Sequence, residues 1–189
     1  MSLSAPLFKA AGSGLVLRPY QDAAVRELRN FLFTESGNPL VVLPTGCHAR
    51  GTLLRMAGGA LKAVEAITVG DMLAGPDGRP RRVLQLARGR EAMRRVVPVN
   101  GAPFVVNASH ILPLWDTRDG SRRDMTAEAF RTMPDLKKWM YRLRNVERGE
   151  LVEFTIQKMP VDDFFGFRLD GDHLYVDDQG FVHSCEKNK

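Results

Sequence analysis

The feature that most constrains the fold is the punctuation of the chain after residue 47. Short strand-like runs are broken by glycine and proline turns about every ten residues, the layout of a mostly β domain. Turn signals stand at residues 56–60 around Gly58-Gly59 and at Gly75-Pro-Asp-Gly-Arg-Pro80. Strands are expected at 82–86, 94–99 and 104–106, and again at 151–156, 164–169 and 174–176. Between them a helical interlude is expected from Thr126 to Arg144, carrying Phe130, Leu136, Met140 and Leu143 and interrupted by Pro134. The chain before residue 47 reads differently. Pro19 suits a first helical turn, and Ala24, Val25, Leu28, Phe31 and Leu32 recur at helical spacing, so 18–33 is expected to be an amphipathic helix. After the breaker Glu35-Ser-Gly-Asn-Pro39, the apolar run 40–43 reads as a buried strand feeding a loop at Pro44-Thr-Gly46.

Composition narrows the function classes. A hydrophobic content of 44% is ample for a packed core. The 27 basic and 22 acidic residues lie without a long single-sign block, which suggests a solvated mixed surface rather than a nucleic-acid face. No apolar stretch approaches the ~20 residues needed to cross a bilayer, and Met1-Ser-Leu-Ser lacks the layout of a signal peptide, so a cytoplasmic, membrane-free protein is expected. The two cysteines, Cys47 and Cys185, are too few for a disulfide framework and lack CxxC spacing for zinc. Both sit in polar, non-periodic surroundings, Thr-Gly-Cys-His and His-Ser-Cys-Glu, which points to chemistry rather than packing.

Four blocks in order carry a resemblance. Cys47-His-Ala-Arg-Gly-Thr-Leu-Leu-Arg-Met56, followed by Val69-Gly-Asp-Met-Leu73, resembles the opening of inteins, the self-splicing protein inserts. Phe104-Val-Val-Asn-Ala-Ser-His110 is similar to their internal histidine block. The stretch 164–175 and its continuation to Phe181-Val-His183 resemble the two closing blocks. The resemblance implies the Hint fold, a β horseshoe that brings the ends of the insert together, and a mini-intein without a homing endonuclease, since only a few dozen residues separate Trp115 from Leu151. It divides the chain into a host segment 1–46, the insert 47–184 and a second host segment 185–189. Around the insert, Arg18-Pro-Tyr-Gln21 and Pro44-Thr-Gly46 resemble the adenine-reading motif and the start of the phosphate loop in superfamily 2 helicases. Joining Gly46 to Cys185 gives Pro-Thr-Gly-Cys-Glu-Lys-Asn-Lys, with Lys187 at the place of the loop lysine and Glu186 and Asn188 where Gly and Ser/Thr are expected.

Splicing chemistry assigns the residues. Cys47 supplies the thiol that converts the Gly46–Cys47 peptide into a thioester, and Gly46 offers an unhindered carbonyl. His110 matches the block histidine that protonates the departing nitrogen. Asn107, standing where inteins commonly place Thr, is expected to hold the scissile backbone by hydrogen bonds. Cys185 is the second nucleophile, and acyl transfer requires its sulfur and that of Cys47 to come close enough for a disulfide. His173 and His183 match the two histidines that assist release, but Ser184 replaces the Asn whose side-chain amide performs it, so release should stop there. Gly166 stands where many inteins have Asp or Cys. His48 is expected to tune the local field or do nothing, because adjacent residues rarely point at one atom, and Asp170, Asp172, Asp177 and Asp178 are expected to form a solvated turn. No cofactor or metal is expected. The chain acts on its own flanking segments without an obligatory partner, and nucleotides or nucleic acids enter only through the full host protein. Two alternatives stand beside this reading: a helicase-like nucleotide-binding fragment with an accessory β-domain, and an intein-like domain that cleaves only at its N-terminal end.

Overall fold

The computed structural model describes residues 19–37 and 47–185. The strand expected at 40–43, the loop at Pro44-Thr-Gly46 and the lysine-bearing tail after Cys185 lie outside the described residues. The chain divides into two units, 1–43 and 44–189. In the first, α1 (Pro19–Thr34) matches the amphipathic helix expected there, starting on the proline whose missing N–H costs nothing at that position. Val25, Leu32 and Phe33 of its apolar stripe are exposed.

The second unit is a succession of antiparallel strands. In chain order these are β1 (Cys47–Ala49), β2 (Leu53–Arg55), β3 (Leu61–Ala63), β4 (Met72–Ala74), β5 (Pro80–Pro98), β6 (Phe104–Asn107), β7 (Ile111–Asp116) and β8 (Arg122–Thr126). Two short helices follow, α2 (Ala127–Thr132) and α3 (Asp135–Lys138). Then come β9 (Tyr141–Asn145), β10 (Glu150–Val152), β11 (Phe154–Leu169), β12 (Leu174–Val176) and β13 (Val182–Ser184).

Two elements differ from the sequence expectation. The runs 82–86 and 94–99 belong to one 19-residue strand, β5, and the runs 151–156 and 164–169 fall largely in the 16-residue β11. Their middles, Ala-Arg-Gly-Arg-Glu-Ala and Gln-Lys-Met-Pro-Val-Asp-Asp, carry no alternation of apolar and polar residues, because this part of the ribbon is largely solvated. They are strands because β5 and β11 pair with each other, Gln157 opposite Arg95 and Asp163 opposite Arg90. A register shift between Lys158 and Val161 accommodates Pro160, which has no N–H for the ladder. The helical interlude is the second difference. Thr126 caps α2 through its hydroxyl, which accepts from the Ala129 N–H at 3.0 Å, but helix ends at Lys138. Leu143 and Asn145 are buried while Arg144 between them is exposed, a period of two that the sheet imposes over the helical spacing.

Two sheets position the ends of this unit. One has the order β11-β1-β6-β5-β4, with β5 also paired to β11, so β1 lies between β11 and β6. Cys47 faces Gly166 across the ladder, and His48 faces Phe165 on one side and Val106 on the other. The other sheet has the order β10-β9-β7-β13-β12 and places Ser184 opposite Ile111, one residue after His110. Leu112, Leu114, Phe130, Phe154 and Phe181 fill one core cluster, in which the Phe130 and Phe154 rings stack with centroids 4.3 Å apart. Leu54, Leu73, Leu169 and Tyr175 anchor a second. Burying each of these large side chains contributes about 1.5–3 kcal/mol, so the meeting of β1 and β13 is held by the core itself.

Candidate functional site

Cys47 is the first residue of β1 and is fully buried. Its backbone N–H, the nitrogen of the peptide that joins it to Gly46, donates to Oδ1 of Asn107 at 3.1 Å. The Asn107 amide is fixed from behind: its Nδ2 donates to Oε2 of Glu91 at 2.8 Å and to Oγ of Ser109 at 2.9 Å, and Ser109 donates to the same Glu91 oxygen at 2.8 Å. These bonds settle which end of the amide faces Cys47. Burial, reinforced by Glu91 and opposed by Arg88, pushes the Cys47 thiol far above the usual cysteine range. It is therefore a neutral thiol at physiological pH and needs a proton acceptor before it can attack.

His110 lies in the tight turn between β6 and β7, where its N–H donates to the Asn107 carbonyl at 3.1 Å. It is fully buried, and its Nδ1 makes no hydrogen bond of ordinary geometry, although the Cys47 backbone lies close enough to favour the charged ring. Burial, followed by the nearby His183, outweighs that contact and holds His110 well below the usual imidazole range, so the ring is neutral. Its Nε2 meets Nδ1 of His183 at 3.3 Å, and Nε2 of His183 meets Oδ2 of Asp177 at 3.2 Å. The result is a continuous line from Asp177 through His183 to His110 and the Cys47 backbone.

At the other end, Ser184 is buried in β13 between Leu174 and Ile111. The Cys185 N–H donates to the His173 carbonyl at 3.1 Å, and the Cys185 sulfur accepts from the Leu169 N–H at 3.3 Å. His173 adopts φ 63°, the left-handed region rarely occupied by a residue with a side chain, and its Nδ1 meets the Leu169 carbonyl at 2.8 Å. The bend at His173 thus clips Cys185, the last described residue, to the end of β11. Cys47 and Cys185 are both buried cysteines. Cys47 stands opposite Gly166 while the Cys185 sulfur is held at Leu169, three residues further along β11, or about 10 Å of extended chain.

The structure therefore gathers Cys47, Asn107, His110 and His183 around one junction and His173, Ser184 and Cys185 around the other; Gly46 lies outside the described residues. One expectation needs correction. Asp177 does not belong to a solvated turn: it is buried, its Oδ1 accepts from the N–H groups of Gln179 and Phe181 at 3.0 and 2.8 Å, and its other oxygen holds His183. Asp170 and Asp172 are engaged as well, with the Arg82 N–H and the Arg81 guanidinium, each at 2.8 Å. His48, expected to tune the local field or do nothing, sits among the other histidines. It points away from the Cys47 side chain, as alternation in a strand requires, and that direction carries it into the histidine cluster. Its ring centroid lies 4.9 Å from that of His110 and 4.8 Å from that of His183, and its Nε2 meets the Tyr175 hydroxyl at 2.6 Å. Burial and the two neighbouring histidines keep His48 uncharged. Sequence reasoning also missed Glu91 and Tyr175. Asp177 left a trace in the turn sequence Asp-Asp-Gln-Gly, but a partner six residues away across a hairpin leaves none.

Among the described residues, His48, His110 and His183 form a group whose nitrogen atoms come within 4.8 Å of one another, a set that could approach a metal ion. Zinc holds its nitrogen ligands at about 2.0–2.1 Å, so the rings would have to close in and give up the His110–His183 contact.

An antiparallel body whose first and last strands converge on a buried thiol and paired histidines has the Hint fold, the architecture of inteins. A family described as Hom_end-associated Hint matches residues 47–133. Among solved structures, the gp41-1 intein covers 74% of this chain and 98% of its own, with a TM-score of 0.57 at 18% identity. A DnaB intein from Synechocystis gives the same coverage and TM-score at 14% identity. The Msm DnaB1 intein splicing domain, solved bound with zinc, covers 72% of this chain and 98% of its own, with a TM-score of 0.54 at 22% identity. A curated relative, the catalytic subunit of the V-type proton ATPase of Candida tropicalis, is 37% identical over 92 residues, which are 43% of this chain and 8% of that protein's length. The chain thus spans a small part of that relative.

Proposed function

We propose that the chain is a protein-splicing precursor in which residues 47–184 are a mini-intein stopped before release because Ser184 stands at the last position of the insert. The observation that carries this reading is the treatment of one peptide nitrogen. The Cys47 N–H is held by Asn107 Oδ1 at 3.1 Å, with the unpaired Nδ1 of His110 on the same backbone. An amide so gripped is held in one place while its carbonyl is attacked, and an imidazole beside it can protonate the departing nitrogen. The buried setting of Ser184 and Cys185 supports a second reaction centre at the far end of the insert. Serine has no side-chain nitrogen to cyclise on its own carbonyl, so the chemistry there ends with the acyl group on a cysteine. The flanking motifs Arg18-Pro-Tyr-Gln21 and Pro44-Thr-Gly46 support a helicase-like host whose phosphate loop the insert interrupts.

Treatment of the whole chain with a strong thiol or hydroxylamine tests the first step. Cleavage between Gly46 and Cys47, or release of the acyl group from Cys185, is expected by intact mass, and Cys47→Ala abolishes it. Equal cleavage of the Cys47→Ala chain would remove Cys47 as the nucleophile.

A further inference from the structure

The line Asp177–His183–His110 has a direction. Asp177 Oδ1 already accepts two backbone N–H bonds, from Gln179 and Phe181, and a carboxylate is an acceptor at both oxygens. Its Oδ2 therefore takes the proton side of His183 Nε2 at 3.2 Å. A neutral His183 protonated on Nε2 has its lone pair on Nδ1, and that lone pair accepts from His110 Nε2–H at 3.3 Å. What remains on His110 is a lone pair at Nδ1, the buried atom without a hydrogen-bond partner, on a ring that the Cys47 backbone approaches. The Cys47 backbone, which favours the protonated ring of His110, is set against this alignment, while the other aromatic neighbours leave it in place. His48 is tied through Nε2 to the Tyr175 hydroxyl, and Tyr175 stacks on His183 with centroids 5.5 Å apart. Phe104 closes the His183 ring edge-on at 5.0 Å.

We propose that Asp177 is a positioning residue for the N-terminal step: acting through His183, it fixes His110 in the Nε2–H tautomer and so presents a basic Nδ1 to Cys47. This rests on the splicing reading above and assigns a cause to the state of its central histidine. In the step so prepared, the Cys47 S–H proton passes to His110 Nδ1 while the sulfur attacks the Gly46 carbonyl carbon. The C–S bond forms, the Gly46–Cys47 C–N bond breaks, and His110 returns the same proton to the Cys47 nitrogen. His110 ends as it began, and the relay behind it carries no net proton. A thiol held neutral by burial needs such an acceptor, and a histidine of the opposite tautomer would offer it only a donor.

Asp177→Asn tests this with little change of shape. The two backbone N–H groups require an oxygen at the Oδ1 position, so the introduced amide has to turn its NH₂ toward His183. It then donates to Nε2, His183 carries its proton on Nδ1, and His110 is forced to the Nδ1–H form. In ¹⁵N-histidine spectra of the whole chain at neutral pH, the parent should show His110 protonated on Nε2, and Asp177→Asn should show it protonated on Nδ1. Thiol-induced cleavage at Gly46–Cys47 should slow by roughly 10–100-fold, the lower part of the range for loss of a general base. In a His183→Ala background the relay is cut, and adding Asp177→Asn should then change the cleavage rate by less than about twofold, a non-additivity expected only of residues acting in one line. Three results would overturn the proposal: an unchanged His110 tautomer in Asp177→Asn, a parent spectrum with His183 as imidazolium and His110 protonated on Nδ1, or a full-sized Asp177→Asn effect without His183. A parent chain that thiols fail to cleave would instead overturn the splicing reading, while the spectra still decide the relay.

Discussion

At the scale of single residues, the site is arranged around atoms that burial would otherwise disable. The Cys47 thiol is pushed out of its reactive range, His48 and His110 are kept uncharged, and Tyr175 is held well above the usual phenol range by burial, with the two cysteines and Asp177 adding to the effect. Hydrogen bonds rather than charges therefore define the geometry, and Asn107 is the residue most exposed to test. Its Oδ1 is the acceptor for the scissile N–H and its Nδ2 is a donor to Glu91. Replacing it with an apolar residue of similar size, Asn107→Leu, leaves the buried Cys47 N–H without its acceptor and takes one donor from Glu91, which keeps the Ser109 hydroxyl. The expected cost is about 1–3 kcal/mol in stability, and thiol-induced cleavage should fall about tenfold or more, tenfold being 1.4 kcal/mol of barrier. Asn107→Thr keeps an oxygen within reach and should retain most of the rate. Melting curves and cleavage rates of the two variants check this; equal rates for both would mean that the scissile N–H needs no acceptor.

At the scale of elements, local pattern decides what can be read in advance and what cannot. The turn at 56–60 was legible because Gly58-Gly59 has few other uses, and the structure makes it the link between β2 and β3. The cap of α2 was legible in Thr126-Ala-Glu-Ala for the same reason. The middle of the β5–β11 ribbon was not, since its strands satisfy each other and need no apolar face. The far half of the helical interlude was misread because Leu136, Met140 and Leu143 fit a helix as well as Leu143 fits β9; the neighbouring strand β7, invisible to a local reading, settles it. Tertiary pairing likewise hid the role of Asp177. A prediction belongs to α2, which is tied to β5 by Arg94 and Glu128 at 2.6 Å and to itself by Arg131 and Glu128 at 2.7 Å. Arg131 first, then Arg94, lowers the Glu128 carboxyl from the ordinary glutamate range to about 2. A depressed folded-state value means that the stabilisation is fully present above the unfolded value near 4.5 and is lost as pH falls toward 2. With partial solvent exposure, Glu128→Gln should cost about 1 kcal/mol at neutral pH. It should also reduce the loss of stability between about pH 4.5 and 2, read by thermal melts across that range. Parallel melting curves for parent and variant would show that the bridge contributes nothing.

At the scale of the whole molecule, the fold joins two junctions that are far apart in sequence. β1 and β13 are far apart in sequence, yet His183 of β13 touches His110 beside the Cys47 backbone, and the Cys185 sulfur rests on the strand that faces Cys47. In the splicing reading proposed above, a single side chain, Ser184, stops the sequence of steps. With Asn at position 184, the amide nitrogen and the backbone carbonyl it must attack belong to one residue, and a five-membered ring closes with the high effective concentration of an intramolecular reaction. The serine hydroxyl would have to close a strained four-membered lactone. The most direct test is an intact mass spectrum of Ser184→Asn after incubation under reducing conditions. The account predicts two species whose masses sum to that of the unspliced Ser184→Asn chain, or exceed it by one water once the succinimide opens: an excised segment 47–184, and a shorter chain in which Gly46 is bonded to Cys185. A Ser184→Asn chain that stays whole while its fold is unchanged would contradict it.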